Sequence, residues 1–248
     1  MSDKYIFDIV ICVGPNDNNI IASMIPYTKK NIIGYRNIYL VCADTSIIID
    51  GTITIDEKIF PFNMYDLILK FGNNNRNGWY LQQLLKLYSG SVIPGILENY
   101  LIIDCDTHFL KPTSFITDTG KYIYTIGTEY HIPYFIHMNK LHSSLKKIHP
   151  LSGISHHTIM NNNYVNELVN LVETYHNNKP FWEIYLNMIE PNDYPKSGSA
   201  ENEIYFTFMN IYHKNDILIR QLNWSNASNI NDNNKDCDFV SIHWYMRQ

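Results

Sequence analysis

The fold is decided by the stretch Phe7-Asp8-Ile9-Val10-Ile11-Cys12-Val13, which is followed by the turn-forming residues Gly14-Pro15-Asn16-Asp17. The nearly continuous run of apolar residues predicts a strand that is buried on both faces. Residues 37–42 and 100–103 have the same pattern, and Asp44 and Asp104 follow them. Ligands of parallel sheets bind beyond the carboxyl ends of the strands, so we expect the functional site beside these aspartates.

Helical patterns separate these strands, at residues 20–27 and 78–88, and we expect Gly90 to end the second helix. The second half of the chain predicts short strands at 122–126, 217–219 and 239–242, helices at 165–175, 181–189 and 201–212, and a polar, Asn-rich loop at 223–236. Strands that alternate with helices predict a Rossmann-type α/β fold with a mostly parallel central sheet flanked by helices. We expect one domain spanning residues 1–248.

Composition narrows the class of protein. The chain of 248 residues has 45% hydrophobic residues and a net charge of −5, without the clustered Lys and Arg of a nucleic-acid-binding surface. It has no apolar run near the roughly 18–20 residues of a membrane span and no signal-peptide pattern. Its four cysteines lack metal-site spacing, which indicates buried thiols in a reducing, cytoplasmic setting.

The most specific chemical signal is Asp104-Cys105-Asp106, directly after a predicted strand. Carboxylates at positions i and i+2 of a strand end can reach one hard cation, and Mg²⁺ or Mn²⁺ there is commonly completed by substrate phosphates. Asp-x-Asp also marks ordinary turns. A haloacid-dehalogenase-type phosphatase uses the same pattern, but on its first strand and with Thr at the position that His108 holds here.

Other residues extend this candidate site. His243 follows the last predicted strand and is a candidate third metal ligand, although a lone His is more often structural. Arg76 precedes the predicted helix 78–88 and can meet phosphate oxygens, unless it is simply solvated. Gln83 and Lys86 lie on the same helix and are candidate donor-binding residues, since at least one of the paired glutamines faces the cleft unless both lie on the surface.

The segment Ser199-Ala200-Glu201-Asn202-Glu203 opens the predicted helix 201–212, and Ser199 is a candidate cap. Carboxylates in a first turn are often only partners of the helix dipole. A Glu at a cleft edge can instead deprotonate an acceptor hydroxyl, and we take Glu201, with Glu203, as the candidate catalytic base. His131, His156 and His157 are candidate acceptor-binding residues, and the last two point to opposite faces if they lie on a strand.

With these motifs in place, the chain resembles a family of GT-A glycosyltransferases from giant viruses and bacterial polysaccharide clusters. Specific matches are Asn77-Gly-Trp-Tyr-Leu-Gln-Gln-Leu-Leu-Lys, Asp104 to Pro112 and the closing His243-Trp-Tyr-Met-Arg. The resemblance implies a GT-A-like fold in which residues 1–110 bind a nucleotide sugar and residues 111–248 face the acceptor. It also implies a metal held by Asp104, Asp106 and His243.

What the resemblance implies for function is a hexosyltransferase-like enzyme that moves a sugar from a UDP-sugar to a glycan or other hydroxyl acceptor, with Mn²⁺ or Mg²⁺. Uridine would lie near Gly14, Pro15 and Asp44, and the diphosphate near the cation, Arg76 and Lys86. A viral origin would place the protein in the host cytoplasm or a viral factory. A nucleotidyl- or phosphotransferase remains an alternative, although Gly14-Pro15 is no Walker loop. So does a non-catalytic carbohydrate-binding protein.

Overall fold

The computed structural model describes residues 6–231, 234–243 and 246. The strands within these residues are β1 (Phe7–Val13), β2 (Ile32–Ile33), β3 (Tyr35–Cys42), β4 (Ile53–Asp56), β5 (Asn99–Ile103), β6 (Thr107–Phe109), β7 (Thr113–Ser114), β8 (Tyr122–Thr125), β9 (His157–Asn161), β10 (Ile217–Arg220), β11 (Trp224–Asn226) and β12 (Phe239–Ser241). The helices are α1 (Asn18–Asn31), α2 (Met64–Phe71), α3 (Asn77–Val92), α4 (Ile132–Leu141), α5 (Asn162–Tyr175), α6 (Phe181–Asn187) and α7 (Glu201–Tyr212). Short 3₁₀ turns lie at Glu57–Ile59 and Lys214–Asp216.

The central sheet confirms the predicted α/β class. Its strand order is β4-β3-β1-β5-β9 among the described residues. The first four strands are parallel, and β9 runs antiparallel to β5 at one edge. All seven residues of β1 are buried, as expected for the middle strand of a sheet that is covered on both faces. Chain order reverses between β1 and β5, which makes a crevice beyond their carboxyl ends.

Helix α3 packs against β1 and β5 and does not end where the sequence indicated. It continues through Gly90 to Val92, so the prediction that Gly90 stops this helix was wrong. A Cβ atom at Gly90 would lie 2.5 Å from the Tyr100 ring and 2.7 Å from Oδ1 of Asn162. The glycine is therefore required for close packing of the helix on β5 and α5, and it has no capping role.

The Asn-rich segment also differs from its prediction as a loop. It contains β11, which pairs in parallel with β12. The Trp224 indole stacks on the Phe239 ring with centroids 5.4 Å apart, and this packing fixes a strand in a polar stretch. The strand β12 also pairs with β6, directly after Asp106. Of the closing motif that begins at His243, residues 244, 245 and 247 lie outside the described part of the chain.

No helix in the described residues combines the length and the apolar composition that crossing a bilayer requires.

Candidate active site

A pocket of about 680 Å³ opens beyond the carboxyl ends of β1 and β5. Asp17 reaches it from the loop after β1, and residues 104–106 reach it from the loop after β5. Its other walls come from α3, from the loops at 127–129 and 154–156, and from the start of α7. The pocket therefore lies where the sequence predicts a site, at the crevice where the strand order reverses.

Asp104, Asp106 and His156 form a cluster in which one ligand atom of each residue lies within 4.8 Å of the others. The antiparallel pairing of β5 with β9 brings His156 to Asp104, and it pairs Ile103 with His157. The Asp104 N–H donates to the His156 carbonyl at 2.9 Å, and His156 Nδ1 lies 3.3 Å from Asp104 Oδ2. A residue 52 positions away in the chain thus completes the strand-end motif.

Asp106 is oriented from a different sheet. The Ser241 hydroxyl of β12 donates to Asp106 Oδ1 at 2.9 Å, and the Ile242 N–H donates to the Asp106 carbonyl at 2.9 Å. The first bond orients the carboxylate, and the second holds the backbone of the same residue. Such support of a ligand by neighbouring hydrogen bonds is common in metal sites.

These three residues fit a divalent cation. A cation about 2.1 Å from each ligand puts opposite ligand atoms about 4.2 Å apart, close to the spacing of the cluster. Two carboxylate oxygens and one imidazole nitrogen suit Mn²⁺ or Mg²⁺ with water or phosphate in the remaining positions.

His243, the predicted third ligand, lies in the same pocket. Its ring centroid is 6.1 Å from that of His156. The cluster within 4.8 Å contains His156 in its place, which the sequence assigned to the acceptor. The ligand role of His243 remains a prediction.

Lys86 connects the cluster to α7. Its buried ammonium donates to Asp104 Oδ1 at 2.7 Å and to Glu201 Oε1 at 2.8 Å. Burial alone would lower the pKa of Lys86, but the charges of Asp104 and Glu201 outweigh it and raise that pKa. Burial would likewise raise the pKa of Asp104, yet Lys86 and His156 hold it well below its ordinary value. For Asp106, burial and then the charge of Asp104 raise the pKa.

The first turn of α7 contacts segments that form the pocket. Glu201 pairs with Lys86, so its carboxylate is committed to an ion pair, and its role as a base remains a prediction. Asn202 accepts from the Thr158 hydroxyl at 2.7 Å and donates to the Ser155 carbonyl at 2.9 Å. The helix begins after Ala200 without a side-chain cap, so the predicted Ser199 cap was wrong.

Glu203, which the sequence offered as a catalytic base together with Glu201, lies behind the pocket wall. Its side chain is 1% exposed, and it is not among the described residues that line the pocket. It accepts from the Lys147 ammonium at 2.9 Å, the Ser152 hydroxyl at 2.9 Å and the Gly153 N–H at 2.7 Å. These bonds hold the loop that carries residues 154–156, so Glu203 supports the pocket wall and does not reach a substrate.

His157 also lies away from its predicted place. Its ring is 2% exposed, lies among Phe109, Phe115 and Phe239, and is within 2.8 Å of the Thr125 hydroxyl. Burial, and then the charge of Arg220, lowers its pKa well below the ordinary value. A neutral interior imidazole cannot contact an acceptor, so the acceptor role of His157 was wrong.

Three other predicted residues lie in loops that flank the pocket. The Gly14 N–H donates to Asp17 Oδ2 at 3.2 Å, and Pro15 lies in the turn that follows β1. Asp44 is exposed and accepts from the Ser46 hydroxyl and N–H, which lowers its pKa. Gly14, Pro15 and Asp44 are not among the described pocket-lining residues, so their contacts with uridine remain predictions.

The far end of the pocket is aromatic and basic. Arg76 lies over the Trp79 ring at 5.0 Å and donates to the Ser197 hydroxyl at 2.8 Å. His131 Nε2 lies 2.9 Å from the Ser197 carbonyl oxygen. Ten residues of α3 separate Arg76 from Lys86, about 15 Å between their Cα atoms. Arg76 is therefore remote from the carboxylates along the helix, and its predicted contact with the diphosphate remains untested.

Sequence reasoning missed the aromatic walls. Trp79 and Tyr134 line one end of the pocket, and Trp224 lies beside His156 with ring centroids 4.9 Å apart. Trp79 stands inside the quoted motif, so its position was the available signal. Nothing in the Asn-rich stretch around Trp224 indicated that this ring returns to the site.

These features define an α/β protein with a cation-competent pocket at the reversal of strand order in a parallel sheet. No protein-family model matches the chain, and no curated protein matches it. Among solved structures, it is similar to the apo form of mouse xyloside xylosyltransferase 1, with a TM-score of 0.47 and 10% sequence identity. The match covers 98% of this chain and 99% of that one. A likeness at this level does not establish a function, which must come from the chemistry of the pocket.

Proposed function

We propose that this protein is a metal-dependent glycosyltransferase that moves a sugar from a nucleotide-sugar donor, a UDP-sugar, to a hydroxyl of a glycan acceptor. The observation that carries the proposal is the cluster of Asp104, Asp106 and His156 at the reversal of strand order. An Asp-x-Asp element there suits a divalent cation and a diphosphate together. The resemblance of the motifs around residues 77–86 and 104–112 supports the same reading.

Asp104, Asp106 and His156 would hold the cation. When bound, it supplies Lewis-acid stabilisation of the charge on the departing nucleoside diphosphate. Neighbouring residues hold these ligands in position. Lys86 holds Asp104 and Glu201 in place, and the Ser241 hydroxyl orients Asp106.

The shape of the pocket suits a sugar acceptor. Its volume of about 680 Å³ extends from the carboxylates to the aromatic end at Trp79 and Tyr134. Aromatic rings pack against the apolar faces of sugars, and their polar edges hydrogen-bond to hydroxyl groups. We expect the acceptor to approach from this end, with Arg76 and Ser197 at its outer edge.

A thermal-shift screen tests the proposal. UDP-, GDP- and CMP-sugars are each added with Mn²⁺ or with EDTA. A donor at one hundred times its Kd stabilises the fold by about 2.7 kcal/mol, which is a rise in Tm of about 5–10 °C for a chain of this size. A rise that requires both UDP-sugar and Mn²⁺ is the expected result, and release of UDP on adding glycan acceptors then measures transfer.

Matched variants make the screen specific. Asp106→Asn should abolish the metal-dependent shift, whereas Asp118→Asn, in an exposed turn away from the pocket, should retain it. The absence of a shift with every nucleotide sugar would contradict the proposal. Equal sugar binding with Mn²⁺ and with EDTA would favour a non-catalytic carbohydrate-binding protein.

A further inference from the structure

Gln83 carries a buried amide with one unpartnered end. The residue is 1% exposed, and its Oε1 accepts from the Tyr185 hydroxyl and, at 3.0 Å, from the Ser199 hydroxyl. Among the described residues, its Nε2 has no hydrogen-bond partner. A buried donor without an acceptor costs about 1–3 kcal/mol. An orphaned donor in an otherwise satisfied network indicates that a group outside the protein completes it.

The Oε1 end of the amide is held by groups outside the pocket lining. Gln83 lines the pocket, whereas neither Tyr185 nor Ser199 is among its described lining residues. The two hydroxyls therefore bind the amide from behind and fix its orientation. The remaining donor, Nε2, is then available to hydrogen-bond to a ligand bound in the pocket.

Gln83 lies about one helical turn from Lys86 on α3, and residues three apart share a helix face. Lys86 contacts Asp104, so Gln83 stands beside the place where a metal-bound diphosphate would sit. The first group beyond the second phosphate of a nucleotide sugar is the sugar that is transferred. Its hydroxyls, with the diphosphate oxygens, are the acceptors that a bound donor would bring near Gln83, and UDP binding to a Gln83 variant distinguishes the two.

We infer that Gln83 Nε2 donates a hydrogen bond to one hydroxyl of the transferred sugar and selects donors that carry this hydroxyl in the correct configuration. This inference rests on the proposed function. A site built to hydrogen-bond a hydroxyl discriminates strongly against an analogue that lacks it, because the buried donor is then left unpaired. The expected loss is about tenfold to one hundredfold in affinity.

The test is a cycle between protein and ligand, measured by calorimetry with Mn²⁺. UDP and a panel of UDP-hexoses and UDP-xylose identify the tightest donor, and monodeoxy analogues of that donor are then compared. One analogue should lose about tenfold or more with the wild-type protein. Gln83→Met should bind the parent donor more weakly, show no further loss with that analogue, and bind UDP as the wild type does.

The matched control is Gln221→Met, at an exposed glutamine outside the pocket, which should keep the full wild-type pattern. If every monodeoxy analogue binds the wild type within about threefold of the parent, the inference is wrong, whether or not Gln83→Met folds. If the UDP-sugar binds but Gln83→Met shows the wild-type pattern, only this inference fails. If neither UDP nor any UDP-sugar binds, the proposed function fails with it.

Discussion

Replacing Lys86 with Met tests the electrostatic arrangement of the pocket. Met has a similar volume, so the change removes the charge and leaves the packing nearly intact. In the wild type the ammonium is 2.7 Å from Asp104 and 2.8 Å from Glu201, and the Lys86 side chain is 5% exposed. Without it, the buried Glu201 carboxylate and the half-buried Asp104 carboxylate have no counter-ion between them.

The magnitude follows from this geometry. Removing one partner of a buried ion pair costs about 3–5 kcal/mol, because the other charge is left in a poorly solvated site. For a chain of this size each kcal/mol is about 2–4 °C, so the Tm in EDTA should fall by about 6–20 °C. Adding Glu201→Gln should restore part of the loss, because it removes one of the two stranded charges.

Mn²⁺ should raise the Tm that the Lys86→Met substitution lowers. In Lys86→Met, Asp104 Oδ1 is released, and the positive charge that repels a cation is absent. Mn²⁺ should therefore raise the Tm of the variant more than that of the wild type, as measured by differential scanning fluorimetry and urea unfolding.

Lys58→Met is the control, since Lys58 is 81% exposed and 3.8 Å from Asp56. Such surface pairs contribute about 0–1 kcal/mol. A Lys86→Met protein as stable as this control, or one that Mn²⁺ stabilises no more than the wild type, would refute the reasoning.

Three further predictions concern the fold. Glu203→Gln should lower the free energy of unfolding in urea by about 1–3 kcal/mol, because it weakens three buried hydrogen bonds, and an unchanged midpoint would argue against this. Gly90→Ala should destabilise by about 1–3 kcal/mol despite alanine's higher helix propensity, since its Cβ would meet the Tyr100 ring, and a stabilised variant would contradict that packing. Burial lowers the pKa of His137 from 6.5 to about 4. The unfolded chain then binds the extra proton first, and stability should fall by about 3 kcal/mol between pH 6.5 and 4. His137→Gln should lack that part of the pH dependence.

The sequence predicted those parts of the fold that local pattern controls. A strand buried on both faces must be apolar along its length, so β1, β3 and β5 were recognisable. The position of Asp104 at a strand end followed from the same pattern. Gly90 was misread because a glycine that ends a helix and one that permits close packing look alike in a sequence.

The details of the site depend on contacts between distant segments. His156 and His157 are neighbours in the chain, but β9 directs one to Asp104 and the other into an aromatic interior. Glu203 resembles a cleft residue until Lys147, 56 positions earlier, is brought to it. The parallel pairing of β11 with β12, which brings Trp224 to the pocket, has no local signature.

The first turn of α7 has a consequence for how this protein can evolve. Glu201, Asn202 and Glu203 hold Lys86, the start of β9 and the loop at 152–153, so three successive positions serve three separate segments. Inserting or deleting one residue within this turn would rotate the residues that follow by about 100° about the helix axis, away from the segments they hold. Lineages that keep this pocket should therefore vary in the length of their surface loops while the spacing from Ser199 to Glu203 stays constant.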